Sequence, residues 1–294
     1  MEIGITDMQL EFTKMHGCGN DYIYINCFED NPILSMSQDG EKLSRTIAAL
    51  SDRHFSIGGD GLIMICPSLV ADCKMRMFNA DGSEGRMCGN AIRCVGKFVY
   101  DKGIVKKDVI TVETLSGIKT LYMQIENGVA VAVKADLGKA VFEKEAVPVV
   151  WDSEGCISVP LTVEDREFVC NAVSMGSAHC VCFVEDVQGF PLEVYGKAME
   201  VHKAFPDRVN AEFIRLIDSH TVEMRVWERG SGETWACGTG ACASAAVCVK
   251  LGLCPANEDI TVRLKGGELV INVSEERVFM QGPAKIAYEG CIEL

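Results

Sequence analysis

Two Cys-Gly pairs are the residues of this sequence whose type and setting could do chemistry. Cys88-Gly89 and Cys237-Gly238 each follow a Gly-rich loop, and each opens a stretch with helical periodicity. A thiol in the first turn of a helix is close to outward-pointing backbone N–H groups and the positive end of the helix dipole, which stabilise a thiolate. Because glycine lets backbone approach a ligand closely, each helix start also predicts a carboxylate-binding site.

The two pairs belong to a longer internal duplication. The segment Met75–Phe78 recurs 149 residues later as Met224–Trp227, and Glu84 with Cys88-Gly89 recurs at the same offset as Glu233 with Cys237-Gly238. Upstream, the Asp-Arg pair at 52–53 recurs at 207–208. Two matches in the same order indicate a repeat. If the halves are related by a pseudo-twofold axis, we expect the two thiols on opposite sides of one cleft.

Two thiols that flank one carbon suit inversion at an α-carbon, because one can remove a proton while the other delivers one from the opposite face. The α-proton is only weakly acidic, so N–H dipoles must stabilise the developing negative charge. The residues therefore predict racemisation or epimerisation without a cofactor. We expect most other cysteines, including Cys94, Cys170, Cys242 and Cys248, to be small core residues. We expect no metal, because the closest cysteine spacing is Cys180-x-Cys182.

Hydrophobic periodicity predicts the elements that must position the thiols. Amphipathic helices precede each Asp-Arg pair, with apolar stripes at Leu43, Ile47 and Leu50 and at Val194, Ala198 and Val201. Strands are predicted at 74–79, 109–115, 221–228 and 260–265, and helices run from near Cys88 to Gly103 and from near Cys237 to Gly252. The fold class is α+β, with two similar domains of antiparallel strands around helices. We predict domains at 1–135 plus 283–294 and at 136–282.

Composition limits the partners and the compartment. The net charge of −14, from 28 basic and 42 acidic residues, opposes binding to nucleic acids and anionic membranes. The start MEIGITDMQLEF lacks the features of a secretory signal, and the odd count of fifteen cysteines argues against a disulfide scaffold. We therefore expect a cytoplasmic protein with a small-molecule partner, no nucleic-acid or membrane partner, and at most a second copy of itself in a homodimer.

Four segments carry a resemblance that spans nearly the whole chain. FTKMHGCGNDY (12–22), DRHFSIGGDG (52–61), FNADGSEGRMCGN (78–90) and ERGSGETWACGTGA (228–241) resemble the diaminopimelate epimerase family in sequence, order and spacing. The resemblance implies an isomerase of two similar domains that needs no pyridoxal phosphate. It also implies conversion of LL-diaminopimelate to meso-diaminopimelate, which serves lysine and cell-wall synthesis.

The resemblance also implies roles for individual residues. Cys88 and Cys237 would be the acid/base pair. The carboxylate at the reacting end would be held by Gly89, Asn90, Gly238 and Thr239. The remaining polar groups of the substrate would be bound by Asn20, Asn79, Asn210, Glu228 and Arg229, with the planar fork of Arg229 suited to the distal carboxylate. His179 and Glu228 would adjust the pKa values of the two thiols.

The chain departs from the family pattern at a few positions. Where the family usually has Asn-Pro before the histidine, this chain has Ser177-Ala178, and Ser177 could substitute with a shorter reach. Gly61 stands where some members have Gln, and Ala91 where Gly is common. These departures leave the chemistry intact but keep a related racemase of another amino acid as an alternative.

Other readings of the same residues make different predictions. A proline-racemase-like enzyme typically has His after its first Cys-Gly, whereas this chain has Asn90. Gly238–Ala243 fits the dinucleotide fingerprint GxGxxA, but Glu258 and Asp259 precede a strand instead of ending one. A thiol hydrolase or redox protein would need only one of the two cysteines, and a binding module would need no reactive thiol.

Overall fold

A computed structural model describes residues 9–294. The residues before Gln9, on which part of the signal-sequence prediction rests, lie outside the described residues. The chain forms two compact units. Unit 1 holds the described residues as far as Val133 together with Pro283–Leu294, and unit 2 is Lys134–Gly282. No helix within residues 9–294 has both the length and the apolar character to cross a membrane.

Unit 1 combines three helices with strands from both ends of the chain. Its elements are β1 (Gln9–Gly17), β2 (Asn20–Asn26), α1 (Pro32–Met36), α2 (Gly40–Ser51), β3 (Gly61–Cys66), β4 (Cys73–Asn79), β5 (Glu84–Gly85), α3 (Gly89–Asp101), β6 (Val109–Thr114), β7 (Gly117–Glu126) and β18 (Lys285–Glu293). Strand β8 (Val129–Asp136) contains the boundary between the units. Neighbouring strands pair in the order β18, β1, β2, β3, β4, β6, β7.

Unit 2 repeats this order with two helices. Its elements are β9 (Val159–Val163), β10 (Arg166–Ser174), β11 (Ala178–Phe183), α4 (Leu192–Glu200), β12 (Asn210–Asp218), β13 (Thr221–Glu228), β14 (Gly232–Glu233), α5 (Gly238–Lys250), β15 (Asp259–Leu264), β16 (Gly267–Val273) and β17 (Val278–Gly282). Neighbouring strands pair in the order β9, β10, β11, β12, β13, β15, β16, β17. The α+β class, with two units of similar element order, is confirmed.

Each unit contains two parallel strand pairs that the sequence analysis did not predict. They are β2 with β3 and β4 with β6 in unit 1, and β11 with β12 and β13 with β15 in unit 2. Parallel neighbours need a crossover connection. Helices α2 and α4 lie in the first crossover of each unit, and α3 and α5 lie in the second. The sheets are therefore mixed, and the two helices that begin after Cys88 and Cys237 occupy the same place in both units.

Helices cover both faces of the central strands, which explains their uninterrupted apolar sequences. In unit 1, Ile23 and Leu62 share one core with Leu43 and Ile47 of α2, while the Tyr24 hydroxyl on the alternate face lies 3.4 Å from the Ala91 carbonyl of α3. In unit 2, α5 packs against β10–β13 and β15–β17. The predicted core cysteines Cys94, Cys170, Cys242 and Cys248 are all buried.

One predicted apolar stripe is wrong. Helix α4 exposes Val194, and Val201 follows it with 59% of its surface exposed, while Leu192, Gly196 and Met199 are buried. The buried face is rotated because Gly196 packs against Trp227, where a Cβ would come within 2.6 Å of the Trp227 Cβ. The corresponding prediction for α2 is confirmed, since Leu43, Ile47 and Leu50 are buried.

Candidate active site

The duplicated glutamates hold the hairpins that lead to the two cysteines. Glu84 accepts a hydrogen bond from Nε of Arg76 at 2.8 Å, and Glu233 accepts one from Nε of Arg225 at 2.9 Å. Each arginine lies on the strand before its hairpin. The glutamate four residues before each cysteine is therefore a structural contact that positions the start of the following helix.

Cys88 is the N-cap residue of α3 and is half-buried. Its extended backbone lets its carbonyl accept the first hydrogen bond of the helix, from the Ile92 N–H at 3.0 Å. The Cys88 thiol donates to Oδ1 of Asn20 at 3.2 Å. Two of the predicted site residues, 68 positions apart in the chain, are therefore in direct contact.

A charged network lies behind Asn20. Its amide nitrogen donates to Oδ2 of Asp60 at 2.6 Å, and Oδ1 of Asp60 accepts from Arg53 at 2.8 Å. Arg53 also binds both oxygens of Asp21, whose carboxylate lies 2.7 Å from the buried ammonium of Lys14. Although burial acts to raise the pKa of Asp21, hydrogen bonds from Arg53 and Lys14 hold it below the usual value. The sequence analysis did not predict a role for Asp60, although it lies in the segment DRHFSIGGDG (52–61).

The first turn of α3 contains Gly89 and Asn90, and backbone N–H groups in a first helical turn point outward. The Asn90 side chain is buried and accepts a hydrogen bond from Nη2 of Arg93 at 2.9 Å. Arg93 is completely buried and also donates to the Gly89 carbonyl. This cation, one turn along the helix, was not predicted to belong to the site. It adds positive charge where the sequence predicts carboxylate binding.

Cys237 is the N-cap residue of α5 and is only 5% exposed. Its sulfur accepts a hydrogen bond from the Gly240 N–H at 3.3 Å and lies 3.5 Å from the Thr239 hydroxyl. Burial raises the pKa of the Cys237 thiol well above its ordinary value, and the carboxylates of Glu228 and Glu212 raise it further. The buried, acidic surroundings of Cys237 therefore favour the neutral thiol over the thiolate.

His179 lies in a buried chain of hydrogen bonds on the α5 side of unit 2. Its Nδ1 is 2.7 Å from Oε1 of Glu212, and its Nε2 is 2.9 Å from the Ser177 hydroxyl. Burial raises the pKa of Glu212. Ser177 therefore contacts His179. Glu212 is a further member of this group that the sequence analysis did not predict. Its signal was a glutamate next to the apolar residues Ala211, Phe213 and Ile214 of β12.

The remaining predicted residues of unit 2 form a second group at the ends of β12 and β13. The Asn210 side chain accepts from the Arg229 N–H at 2.9 Å and donates to the Ala178 carbonyl at 2.9 Å. The Arg229 guanidinium donates to the Asp207 carbonyl at 3.0 Å, and Glu228 accepts from the Thr234 hydroxyl. Asn210 therefore orders the backbone from which Arg229 projects.

Asn79 ends β4, and its side-chain nitrogen donates to the Ser83 hydroxyl at 3.0 Å. This contact belongs to the hairpin before Cys88, so the structure places Asn79 at the beginning of the segment that leads to the start of α3. Gly61 pairs with Asn79 across β3 and β4. A Cβ at Gly61 would lie 1.9 Å from the Phe78 carbonyl oxygen, so in this chain the pairing of β3 with β4 leaves no room for a side chain at position 61.

Unit 2 contains the residues behind the dinucleotide hypothesis and a cluster of cysteines. Strands β13 and β15 do form a parallel pair with α5 between them, but Asp259 is the first residue of β15 and does not lie at the carboxyl end of a strand.

Within residues 9–294, the sulfur atoms of Cys170, Cys180 and Cys182 lie within 4.8 Å of one another. All three are buried in the apolar core with Phe168 and Phe213, so we assign them a packing role.

Known proteins of one family match this chain over nearly its whole length. The family model described as diaminopimelate epimerase matches residues 12–143 and 171–287. The chain is 50% identical over 287 residues to a diaminopimelate epimerase of Acetivibrio thermocellus, covering 97% of this chain and 99% of that protein. It is 49% identical to a diaminopimelate epimerase of Methanococcus maripaludis, covering 97% of this chain and all of that protein.

The fold has a solved counterpart. A hydroxyproline epimerase from Agrobacterium vitis superposes with a TM-score of 0.71, covering 98% of this chain and 93% of that one, at 13% sequence identity. At that identity the likeness concerns the fold alone. The family match and the full-length relatives carry more information: the chain belongs to the diaminopimelate epimerase family.

Proposed function

We propose that this protein interconverts LL-diaminopimelate and meso-diaminopimelate in lysine and cell-wall biosynthesis, without a cofactor. The observation that carries the proposal is the duplicated helix start: Cys88 and Cys237 are the N-cap residues of helices that occupy the same place in two units of the same element order. Identity near 50% over the whole length of named diaminopimelate epimerases supports the choice of substrate.

In the proposed mechanism, one cysteine removes the α-proton and the other delivers a proton to the opposite face of the same carbon. The roles exchange with the direction of the reaction. The proposal requires both sulfurs to reach one α-carbon. Gly89 and Asn90 on α3, and Gly238 and Thr239 on α5, supply helix-start N–H groups for the reacting-end carboxylate. The same dipoles stabilise the charge that develops when the α-proton leaves.

The protonation states support an initial assignment of roles. Because burial and the carboxylates of Glu228 and Glu212 keep Cys237 protonated, Cys237 is ready to donate a proton. Cys88 is then the thiol that must ionise to remove the proton from the first stereoisomer. Glu228 acts on Cys237 through its charge, and His179 acts through its hydrogen bond to Glu212, so neither needs to contact the α-carbon.

The distal end of the substrate needs charge and amide groups. We propose that Arg229 binds the distal carboxylate, because its guanidinium can grip two oxygens and Asn210 fixes the backbone that carries it. Asn20, Asn79 and Asn210 supply donors and acceptors for the remaining polar groups. Ser177 supplies a hydroxyl of shorter reach than the asparagine usual in the family, and that hydroxyl also contacts His179.

We further propose a cytoplasmic location and no nucleic-acid or membrane partner, supported by the net charge of −14 and the odd number of cysteines. The expected protein partner is a second copy of the chain in a homodimer, which sedimentation would detect. We also propose that each unit folds as a domain, with boundaries at 135/136 and 282/283, to be tested by limited proteolysis.

The experiment that tests the function is a direct assay on a panel of free amino acids. The purified protein is incubated with LL-diaminopimelate, proline, hydroxyproline, glutamate and lysine, and the stereoisomers are separated chromatographically. We expect conversion of LL-diaminopimelate to an equilibrium mixture with the meso form and turnover of the other amino acids at least about 100-fold lower. Faster racemisation of another amino acid would instead support the alternative of a related racemase.

A further inference from the structure

The Asn20 side chain lies between Cys88 and Asp60, and its orientation is fixed by chemistry. An asparagine amide has an oxygen that accepts hydrogen bonds and a nitrogen that donates them. Nδ2 of Asn20 lies 2.6 Å from Oδ2 of Asp60, and an ionised carboxylate can only accept. The amide oxygen is therefore the end that faces Cys88, with its Oδ1 3.2 Å from the sulfur.

Asp60 is itself held as an acceptor from three directions. Oδ2 accepts from the Asn20 amide and from the Asp21 backbone N–H at 3.0 Å, and Oδ1 accepts from Arg53 at 2.8 Å. If the Asn20 amide turned over, its oxygen would face the carboxylate oxygen at hydrogen-bond distance. Two acceptors in contact repel each other, so Asp60 prevents the amide from turning.

This orientation favours one protonation state of Cys88. The thiol can donate its proton to Oδ1 of Asn20, whereas a thiolate at the same distance would face an amide oxygen of partial negative charge. A hydrogen bond to the neutral form disfavours the charged form. We propose that Asp60 is a positioning residue that locks the Asn20 amide and thereby holds Cys88 protonated until the lock is released.

The inference deepens the proposed function and rests on the role given there to Cys88. The start of α3 favours the Cys88 thiolate, while the Asn20–Asp60 pair opposes it. Because Cys237 also carries a proton, catalysis requires that Cys88 ionise. Replacement of Asp60 should therefore extend activity to lower pH. Loss of a carboxylate that pairs with Arg53 would ordinarily be expected only to lower stability or activity.

Other charged and titratable groups lie near Cys88, and the test of the lock must leave their side chains unchanged. Burial raises the pKa of Tyr24 well above its ordinary value and that of Cys94 to about 11, and both interact electrostatically with the Cys88 thiol. Neither ionises appreciably below about pH 9. Arg93 on α3, and Lys14, Asp21 and Arg53 in the network around Asp60, are further charged groups in this part of unit 1. The variants proposed below change none of these side chains.

The test measures the pKa of the Cys88 thiol directly. The rate of iodoacetamide alkylation of the peptide containing Cys88 is followed by mass spectrometry from about pH 6 to about pH 9. In Asp60→Ala the Asn20 amide can turn its nitrogen toward the thiolate, so the pKa should be lower by about 1 than in the parent protein. Asp60→Asn, which is closer in shape, should lower the pKa by a smaller amount, because the introduced amide can pair with either orientation of Asn20.

Removal of the Asp60 charge alone would also lower the pKa, so a double-mutant cycle separates the two effects. In an Asn20→Ala background there is no amide to turn, and Asp60→Ala can act only through its charge. We expect its effect in that background to be less than half of its effect on the parent protein. An equal effect in both backgrounds would overturn the amide lock, as would an unchanged pKa in both Asp60 variants.

This outcome is distinguishable from failure of the proposed function. Alkylation needs no substrate, so the lock can be refuted while the protein still epimerises diaminopimelate. The converse outcome is a pKa shift while the acidic limb of the kcat/KM profile does not move with it. That result would support the amide lock and contradict the role assigned to Cys88. Circular dichroism on each variant confirms that the alkylation rates refer to folded protein.

Discussion

The Glu212 carboxylate lies 2.7 Å from Nδ1 of His179, and both side chains are completely buried. Their strands, β11 and β12, are parallel neighbours. Glu212 also lies against the start of α5, because a Cβ at Gly240 would come within 2.7 Å of its Oε1. One buried carboxylate thus connects the histidine to the helix that begins after Cys237.

Glu212→Gln should destabilise unit 2 because it replaces a buried, charge-assisted hydrogen bond to His179 with a neutral one. We expect a loss of about 1–3 kcal/mol in the free energy of unfolding, measured by urea denaturation. The matched control is Glu258→Gln, since Glu258 forms an exposed pair with His220 at 2.9 Å. That control should change stability by less than about 1 kcal/mol. Equal losses in the two variants would contradict the role given to Glu212.

Gly240→Ala should disturb the start of α5. The added methyl would lie 2.7 Å from Glu212 Oε1 and 3.3 Å from the Cys237 sulfur, so the helix start or the carboxylate must move. We expect about 1–3 kcal/mol of destabilisation and a kcat at least about 10-fold lower. Gly40→Ala, in the first turn of α2 with open space around it, should leave both unchanged. A Gly240→Ala protein with normal kcat would show that this packing does not matter to the reaction.

Arg229→Lys tests recognition of the distal carboxylate. Lysine keeps the charge but lacks the planar fork, so the substrate KM should rise by about 10-fold or more while kcat falls less. Initial rates over a range of LL-diaminopimelate concentrations separate the two parameters. Arg263→Lys serves as the control, because Arg263 is half exposed and pairs with Glu268. An unchanged KM in Arg229→Lys would remove Arg229 from the proposed binding site.

Asp21 should make stability depend on pH in the acidic range. Because its pKa is lowered in the folded protein, the carboxylate contributes stability above its unfolded pKa of about 3.9 and loses that contribution as pH falls toward the lower folded value. In Asp21→Asn the free energy of unfolding should therefore fall less steeply below about pH 4. At neutral pH the variant should be about 3 kcal/mol less stable, because Lys14 remains buried without that carboxylate. Parallel pH curves for both proteins would contradict this assignment.

The sequence predicted the elements that carry the cysteines more closely than their surroundings. The repeat at an offset of 149 residues located both helix starts, and strand 221–228 was predicted with its observed ends. These features are local. Alternation along a strand cannot show whether its neighbour is parallel, so the two parallel pairs of each unit were missed.

The polar contacts were harder to predict, because their partners are far apart in the chain. Asp60 lies 40 residues from Asn20, and Glu212 lies 33 residues from His179. A single sequence shows that such residues exist but not which of them touch. The error in α4 has a related cause: its stripe was chosen from hydrophobicity, whereas the close approach of Gly196 to Trp227 decides which face is buried.

The measurement that tests the central claim most directly is turnover of LL-diaminopimelate in deuterated water by Cys88→Ser and Cys237→Ser. We expect the parent protein to place solvent deuterium on the α-carbon of the meso product, and each variant to lose epimerisation by at least about 100-fold. Cys291→Ser, which changes an exposed thiol, should behave as the parent protein. Turnover at the rate of the parent protein in either Cys88→Ser or Cys237→Ser would contradict a reaction that uses both cysteines.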